Sequence, residues 1–146
     1  MKIVSASIVV HGPTVEVEQL WYDKTRWASW IDGFGHVARL DDHWPQAGAK
    51  RVWDSRPGGR GRVSETVTRW AAREGQSLTV EDARLRGVQR VIFTPGDTVT
   101  QITIQLEVEP KERMPPARRW WMARKLRESL ERSLTRFSYE LAAERR

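Results

Sequence analysis

Cysteine is absent from all 146 residues. Disulfide frameworks, thiolate zinc sites and cysteine nucleophiles are therefore excluded together, and the composition suits a reducing cytoplasm. Histidine is scarce. His11, His36 and His43 fall at loop or strand-edge positions without HxH or HExxH spacing, so no metal site is expected, and no cofactor motif is present. No apolar run approaches the roughly 18 residues of a membrane-crossing helix. Residues 1–7 are too short and too interrupted by serine for a signal peptide. The expectation is a soluble cytoplasmic protein. A serine nucleophile elbow and a phosphate loop are also missing. Gly58-Gly59-Arg60-Gly61 is glycine-rich, but it lies between two strand-like runs and opens no helix, so it reads as a hairpin turn.

The length fits one domain, 1–146, able to bury a core without cross-links. The formal net charge is +6, and it is unevenly placed. Residues 1–110 carry 14 Lys or Arg against 14 Asp or Glu, while residues 111–146 carry 11 against 5. The excess sits on one helical segment as Arg mixed with Glu, without a nucleic-acid-binding motif, so a nucleic-acid partner is not expected.

Periodicity orders the chain. Residues 2–10 are rich in Val, Ile and Ser and predict a strand, ended by His11-Gly12-Pro13. Thr14 is placed to cap a first helix with Val17, Leu20 and Trp21 on one face, and Asp23 to cap a second over 24–31. Strands follow at about 36–44, 48–56, 60–71, 77–86, 88–95 and 98–109, with breaks containing Gly or Pro, including one at Gly87. The last is the clearest: Ile102, Ile104, Leu106 and Val108 alternate with polar residues, which predicts a sheet with one dry face. Pro115-Pro116 then opens a helix reaching about Ala143, with Met122, Leu126, Leu130, Leu134, Phe137 and Leu141 in one stripe. An α+β fold follows: a twisted antiparallel sheet of seven strands curving around the long C-terminal helix, with two short helices after the first strand.

Certain segments within this order resemble a known family. They are Leu20-Trp21-Tyr22-Asp23 followed by Arg26-Trp27-Ala28-Ser29-Trp30, Gly48, the segment from Arg56 to Gly61, Glu65-Thr66-Val67-Thr68-Arg69-Trp70, Phe93-Thr94-Pro95-Gly96-Asp97-Thr98 and the terminal helix. Together they resemble the START-like, Bet v 1-like (SRPBCC) superfamily, in particular its bacterial polyketide cyclase/dehydrase and lipid-transport group. The resemblance implies a helix-grip fold with a cavity between sheet and helix. It does not imply one reaction.

Eight tryptophans stand out. Trp21, Trp27, Trp30, Phe34, Trp53 and Trp120 are candidates to line an apolar cavity, with Leu126 of the helix stripe; equally, they could simply fill a core. Strand parity turns Arg51 inward with Ala49 and Trp53, and Asp82 inward with Leu78 and Val80; Glu65 and Arg90 have no clean parity. Buried, such charges would be paired and could orient a ligand; otherwise they belong to a solvated face. No catalytic residue is assigned. In Arg118-Arg119-Trp120-Trp121-Met122-Ala123-Arg124-Lys125, Trp121 points away from the stripe and could meet anionic headgroups or a protein, or stack on an arginine. Three functions remain open. One is binding of a small hydrophobic molecule, lipid or polyketide-like, by a monomer or homodimer. A second is a cyclase/dehydrase-type enzyme. The third is an interaction protein resembling the superfamily's chaperone activators.

Overall fold

A computed structural model of the chain describes residues 2–144. Met1, the first residue of the segment read against a signal peptide, lies outside the described residues. So do Arg145 and Arg146, which were counted in the basic excess. Strand β1 (Lys2–His11) leads to α1 (Thr14–Trp21) and α2 (Trp27–Trp30). Then come β2 (Phe34–Leu40), β3 (Lys50–Ser55), β4 (Arg62–Ala71), β5 (Gly75–Glu81), β6 (Leu85–Pro95) and β7 (Val99–Pro110), and finally α3 (Pro116–Glu144). The seven strands form one antiparallel sheet in the order β1-β7-β6-β5-β4-β3-β2. Six of them are successive neighbours, and β1 closes the row beside β7. This is a helix-grip α+β fold.

The dry face follows the alternation in β7. Ile102, Ile104, Leu106 and Val108 are buried, and β1 sets Ile8, Ala6 and Val4 directly opposite the first three. Thr100, also buried, donates to the Gly12 carbonyl at 2.9 Å and meets the Thr14 hydroxyl at 3.1 Å. These bonds tie the exit of β1 to β7. They also correct the reading of Thr14 as a cap: it is the first helical residue, Pro13 precedes it, and its hydroxyl turns toward the sheet.

Helix α3 lies over β1 and against α2, on one side of the sheet rather than across its middle. Leu134, Phe137 and Leu141 enter the main core. Met122 and Leu126 are half-buried over a smaller cluster of Val4, Leu106 and Val108. The β2–β3 side of the dry face is covered instead by Trp27 of α2 and Trp44 of the 41–49 loop, while α1 lies against β6 and β7.

Three boundaries differ from the sequence reading. The second helix is a single turn, because Asp23 accepts bonds from the Thr25 N–H (3.0 Å) and hydroxyl (2.6 Å) and holds a turn where a helix was expected. β2 ends at Leu40, and residues 41–49 form a loop. The β5–β6 turn falls at 82–84 and not at Gly87. Asp82 Oδ1 accepts from the N–H groups of Arg84 (2.8 Å) and Leu85 (2.9 Å), which closes the turn with a side chain. Gly87 lies inside β6 for another reason: a Cβ there would sit 1.9 Å from the Glu107 carbonyl oxygen of β7. It marks a close backbone approach.

Candidate functional site

Two groups of side chains meet between the sheet and its helical cover. The first is aromatic. Trp21 at the end of α1 and Trp30 at the end of α2 have ring centres 4.5 Å apart. Phe137 of α3 lies 5.1 Å from Trp21 and 5.0 Å from Trp30, and Phe93 of β6 meets Trp21 at 5.8 Å. Phe34 stacks on Trp53 at 5.0 Å, and Trp27 joins the two sets, with a 6.2 Å edge contact to Phe34 and its indole N–H donating to the Trp21 carbonyl at 2.9 Å. The rings pack on one another.

The second group is charged and sits on β3 and β4 where they pair. Arg51 faces Glu65 across the ladder. The Arg51 Nε–H donates to Glu65 Oε1 at 2.6 Å, and the Trp53 indole N–H donates to the same oxygen at 3.1 Å. Both charged residues are buried. The guanidinium lies between two indoles, 4.5 Å from the centre of Trp27 and 4.6 Å from that of Trp44. This is how the interior tolerates an ion pair: a charge-assisted hydrogen bond neutralises it, and two π-faces stabilise the cation.

Other buried donors lie in the same interior. The indole N–H groups of Trp30 and Trp44 are buried without a hydrogen-bond partner, while the Tyr22 hydroxyl and the Trp70 indole N–H lie against one another. Tyr22 sits beside Trp70; burial pushes its hydroxyl well above the ordinary phenol range, and the charge of Glu18 adds to this, while Trp70 and Arg51 offset only part. Buried unpaired donors are uncommon in folded proteins.

A polar latch fastens the α2–β2 junction to α3. Asp32 accepts from the Ser129 hydroxyl (2.7 Å), from Arg132 (3.0 and 3.2 Å) and from Arg136 (3.1 Å), and its own N–H donates to the Ser133 hydroxyl at 2.8 Å. Arg26 reaches α3 further on, at Glu140 and Glu144. Burial raises the Asp32 carboxyl, but the bonds from Arg132 and Ser129 and the charges of Arg132 and Arg136 outweigh it, and the net direction is down. A carboxylate held below its unfolded value contributes stability that is whole above that value and is lost as pH falls through the folded one. Asp32→Asn is therefore expected to lower the urea midpoint at neutral pH. Its difference from the parent should shrink toward zero as pH drops below about 4. Midpoints measured across that range check the sign.

Of the residues singled out from the sequence, Trp21, Trp30, Phe34, Arg51 and Trp53 come together here. Asp82 does not. It is buried, but its oxygens hold the β5–β6 turn and Arg60, whose Nε–H donates at 2.9 Å. Leu126 belongs to the smaller cluster under the start of α3. Trp120, read as a cavity residue, is 57% exposed and is corrected to a surface position. At 100° per residue it falls outside the buried stripe, whose members near the start of α3, Met122 and Leu126, are themselves only half-buried over the smaller cluster.

Glu65 was visible only without orientation, and Tyr22, Trp44 and Trp70 were not singled out. Strict alternation from Val63, Glu65 and Val67 would turn Trp70 outward; a register shift between Val67 and Arg69 reverses it. Trp44 was read as the end of a strand and is a loop residue. Two open grooves lie elsewhere. One of about 380 Å³ runs between Ser5, Ala6, Ser7 and Ile8 of β1 and Glu131, Leu134 and Thr135 of α3. Another of about 460 Å³ crosses the wet face of β4 to β7. Neither touches the aromatic and charged groups.

A family model described as "Polyketide cyclase / dehydrase and lipid transport" matches residues 1–142. The chain belongs to this family. No protein of curated function matches it in sequence. The fold of this cyclase/dehydrase and lipid-transport family member is shared with solved structures of low identity. A conserved protein from Geobacillus kaustophilus superposes with a TM-score of 0.76 at 18% identity, covering 97% of this chain and 96% of its own. A START superfamily protein from Mycobacterium smegmatis gives 0.74 at 18% identity, covering 97% of each chain. A Thermus thermophilus protein gives 0.73 at 16%, covering 98% of this chain and 99% of its own. At such identities the likeness shows the fold. Among the described residues no helix is long and apolar enough to cross a membrane.

Proposed function

We propose that this cyclase/dehydrase and lipid-transport family member holds a small hydrophobic molecule, lipid or polyketide-like, against the dry face of its sheet in the cytoplasm. The observation that carries this reading is the buried, unpartnered indole N–H of Trp44, which covers the Arg51 guanidinium, together with that of Trp30 in the adjoining aromatic group. Leaving such donors dry and unpaired costs about 1–3 kcal/mol each. A ligand with an apolar body and a carbonyl or hydroxyl oxygen offsets that cost: the body meets Trp21, Trp30, Phe34 and Trp53, and the oxygen accepts from the donors. Because the rings pack on one another, the ligand makes its space by displacing them.

Titration followed by tryptophan emission tests this. A long-chain fatty acid or a planar polyphenol is expected to shift or quench emission saturably, and the matched hydrocarbon without oxygen to bind at least tenfold more weakly, which is about 1.4 kcal/mol. No saturable response from either oxygenated probe would remove the proposal.

A second reading is favoured by the convergence of Arg51 and Glu65: a cyclase/dehydrase-type reaction in which Arg51 polarises a ligand carbonyl and Glu65 moves a proton. Loss of water from a bound polyketone, followed by mass, separates it from simple binding. Intact ligand after long incubation decides for binding.

A further inference from the structure

The start of α3 is not used by the interior site, and its composition is unusual. Residues 111–127 contain seven cations, Lys111, Arg113, Arg118, Arg119, Arg124, Lys125 and Arg127, and one acid, Glu112. Their excess equals the +6 of the whole chain, so every other residue taken together is neutral. Within this stretch Trp120 and Trp121 are each 57% exposed. Each indole carries a cation one turn on: the Arg124 guanidinium lies 5.6 Å from the Trp120 ring and the Lys125 ammonium 5.0 Å from Trp121. By helical geometry Trp120, Arg124 and Trp121 lie on the side turned away from Met122 and Leu126, which pack inward, and Lys125 lies at the edge of that side.

We propose that this face docks on an anionic membrane surface. Two large indoles exposed to water are costly on a chain with ample polar surface, and indoles favour the headgroup level of a bilayer, where one edge is apolar and the N–H stays wet. Cations beside them complement lipid phosphate and carboxylate. The helix lies in the interface plane, tryptophans down, and does not insert across it. The pairing of rings with cations also favours lipid over nucleic acid. With Arg124 and Lys125 already on their faces, the indoles offer edges to an acyl layer more readily than free faces to stacked bases. The surface is separate from the interior site, so the proposal stands or falls without it.

Vesicle flotation of the full-length protein tests it. Recovery is expected with phosphatidylcholine vesicles containing phosphatidylglycerol, not with phosphatidylcholine alone, and is expected to fall sharply as salt is raised. Trp120→Ala with Trp121→Ala should lower partitioning at least tenfold. Arg118→Gln and Arg127→Gln should lower it about fivefold each. All four side chains are exposed, so unchanged thermal midpoints will show that the variants are folded. Equal binding to neutral vesicles, undiminished binding of the tryptophan double variant, or preferential binding of an oligonucleotide over the anionic vesicles would each overturn the proposal.

Discussion

Arg51→Ala will lower the free energy of unfolding by about 3–5 kcal/mol, read from urea denaturation. The effect comes from what remains. Glu65 is buried, and without the Arg51 Nε–H at 2.6 Å its carboxylate keeps only the Trp53 indole, at 3.1 Å. An ionised carboxylate in that position must stay uncompensated, take up a proton or admit water. Glu65→Ala strands the guanidinium in the same way and is expected to cost a similar amount. The double variant Arg51→Met with Glu65→Leu removes both charges at near-constant volume. It should recover most of the stability, because a buried ion pair replaced by apolar groups is often neutral or better. A ligand oxygen bound at the pair predicts a further result: the double variant folds well but loses its preference for oxygenated over hydrocarbon ligands. Full stability together with undiminished preference would mean that the pair is architectural and that recognition lies elsewhere.

Phe137→Ala is expected to cost about 3–5 kcal/mol. Phe137 is fully buried and is the α3 ring on which Trp21 and Trp30 both lean, at 5.1 and 5.0 Å. Its removal takes away apolar burial and leaves a void that these two large, well-anchored rings cannot fill by small shifts. The Trp21–Trp30 pair should loosen, which near-ultraviolet circular dichroism will register as lost aromatic signal while the far-ultraviolet helical signal persists. Phe137→Leu keeps most of the volume and should cost less than half as much. If Phe137→Ala were nearly silent, the aromatic group would not be packed by α3, and the grip of the helix on the sheet would have to rest on Leu134 and Leu141 alone.

Much of the architecture could be read from periodicity. Ile102, Ile104, Leu106 and Val108 alternate cleanly because one face of β7 is dry and the other wet. The four-residue spacing from Leu126 to Leu134, then Phe137 and Leu141, marks the α3 face that packs inward. Parity from Ala49 to Trp53 turned Arg51 to the inner face, where it is buried. Gly87 misled because glycine serves both turns and close strand approaches, and only the partner strand tells them apart: Glu107 leaves no room for a side chain there. Trp120 misled because a helical wheel assumes the same neighbours along the whole helix, whereas α3 is deeply packed only in its second half.

The amino-acid order by itself determined the element order, the dry face of the sheet, the inward stripe of α3 and the concentration of positive charge at its start, since each depends only on spacing along the chain. Which polar groups meet is another matter. Glu65 reaches Arg51 across a ladder, Trp44 arrives on a loop to cover the guanidinium, and a register shift in β4 brings Trp70 beside Tyr22. Those encounters depend on strand register and loop path, which are set by the packing of the whole chain, and so the candidate site exists only in the folded structure.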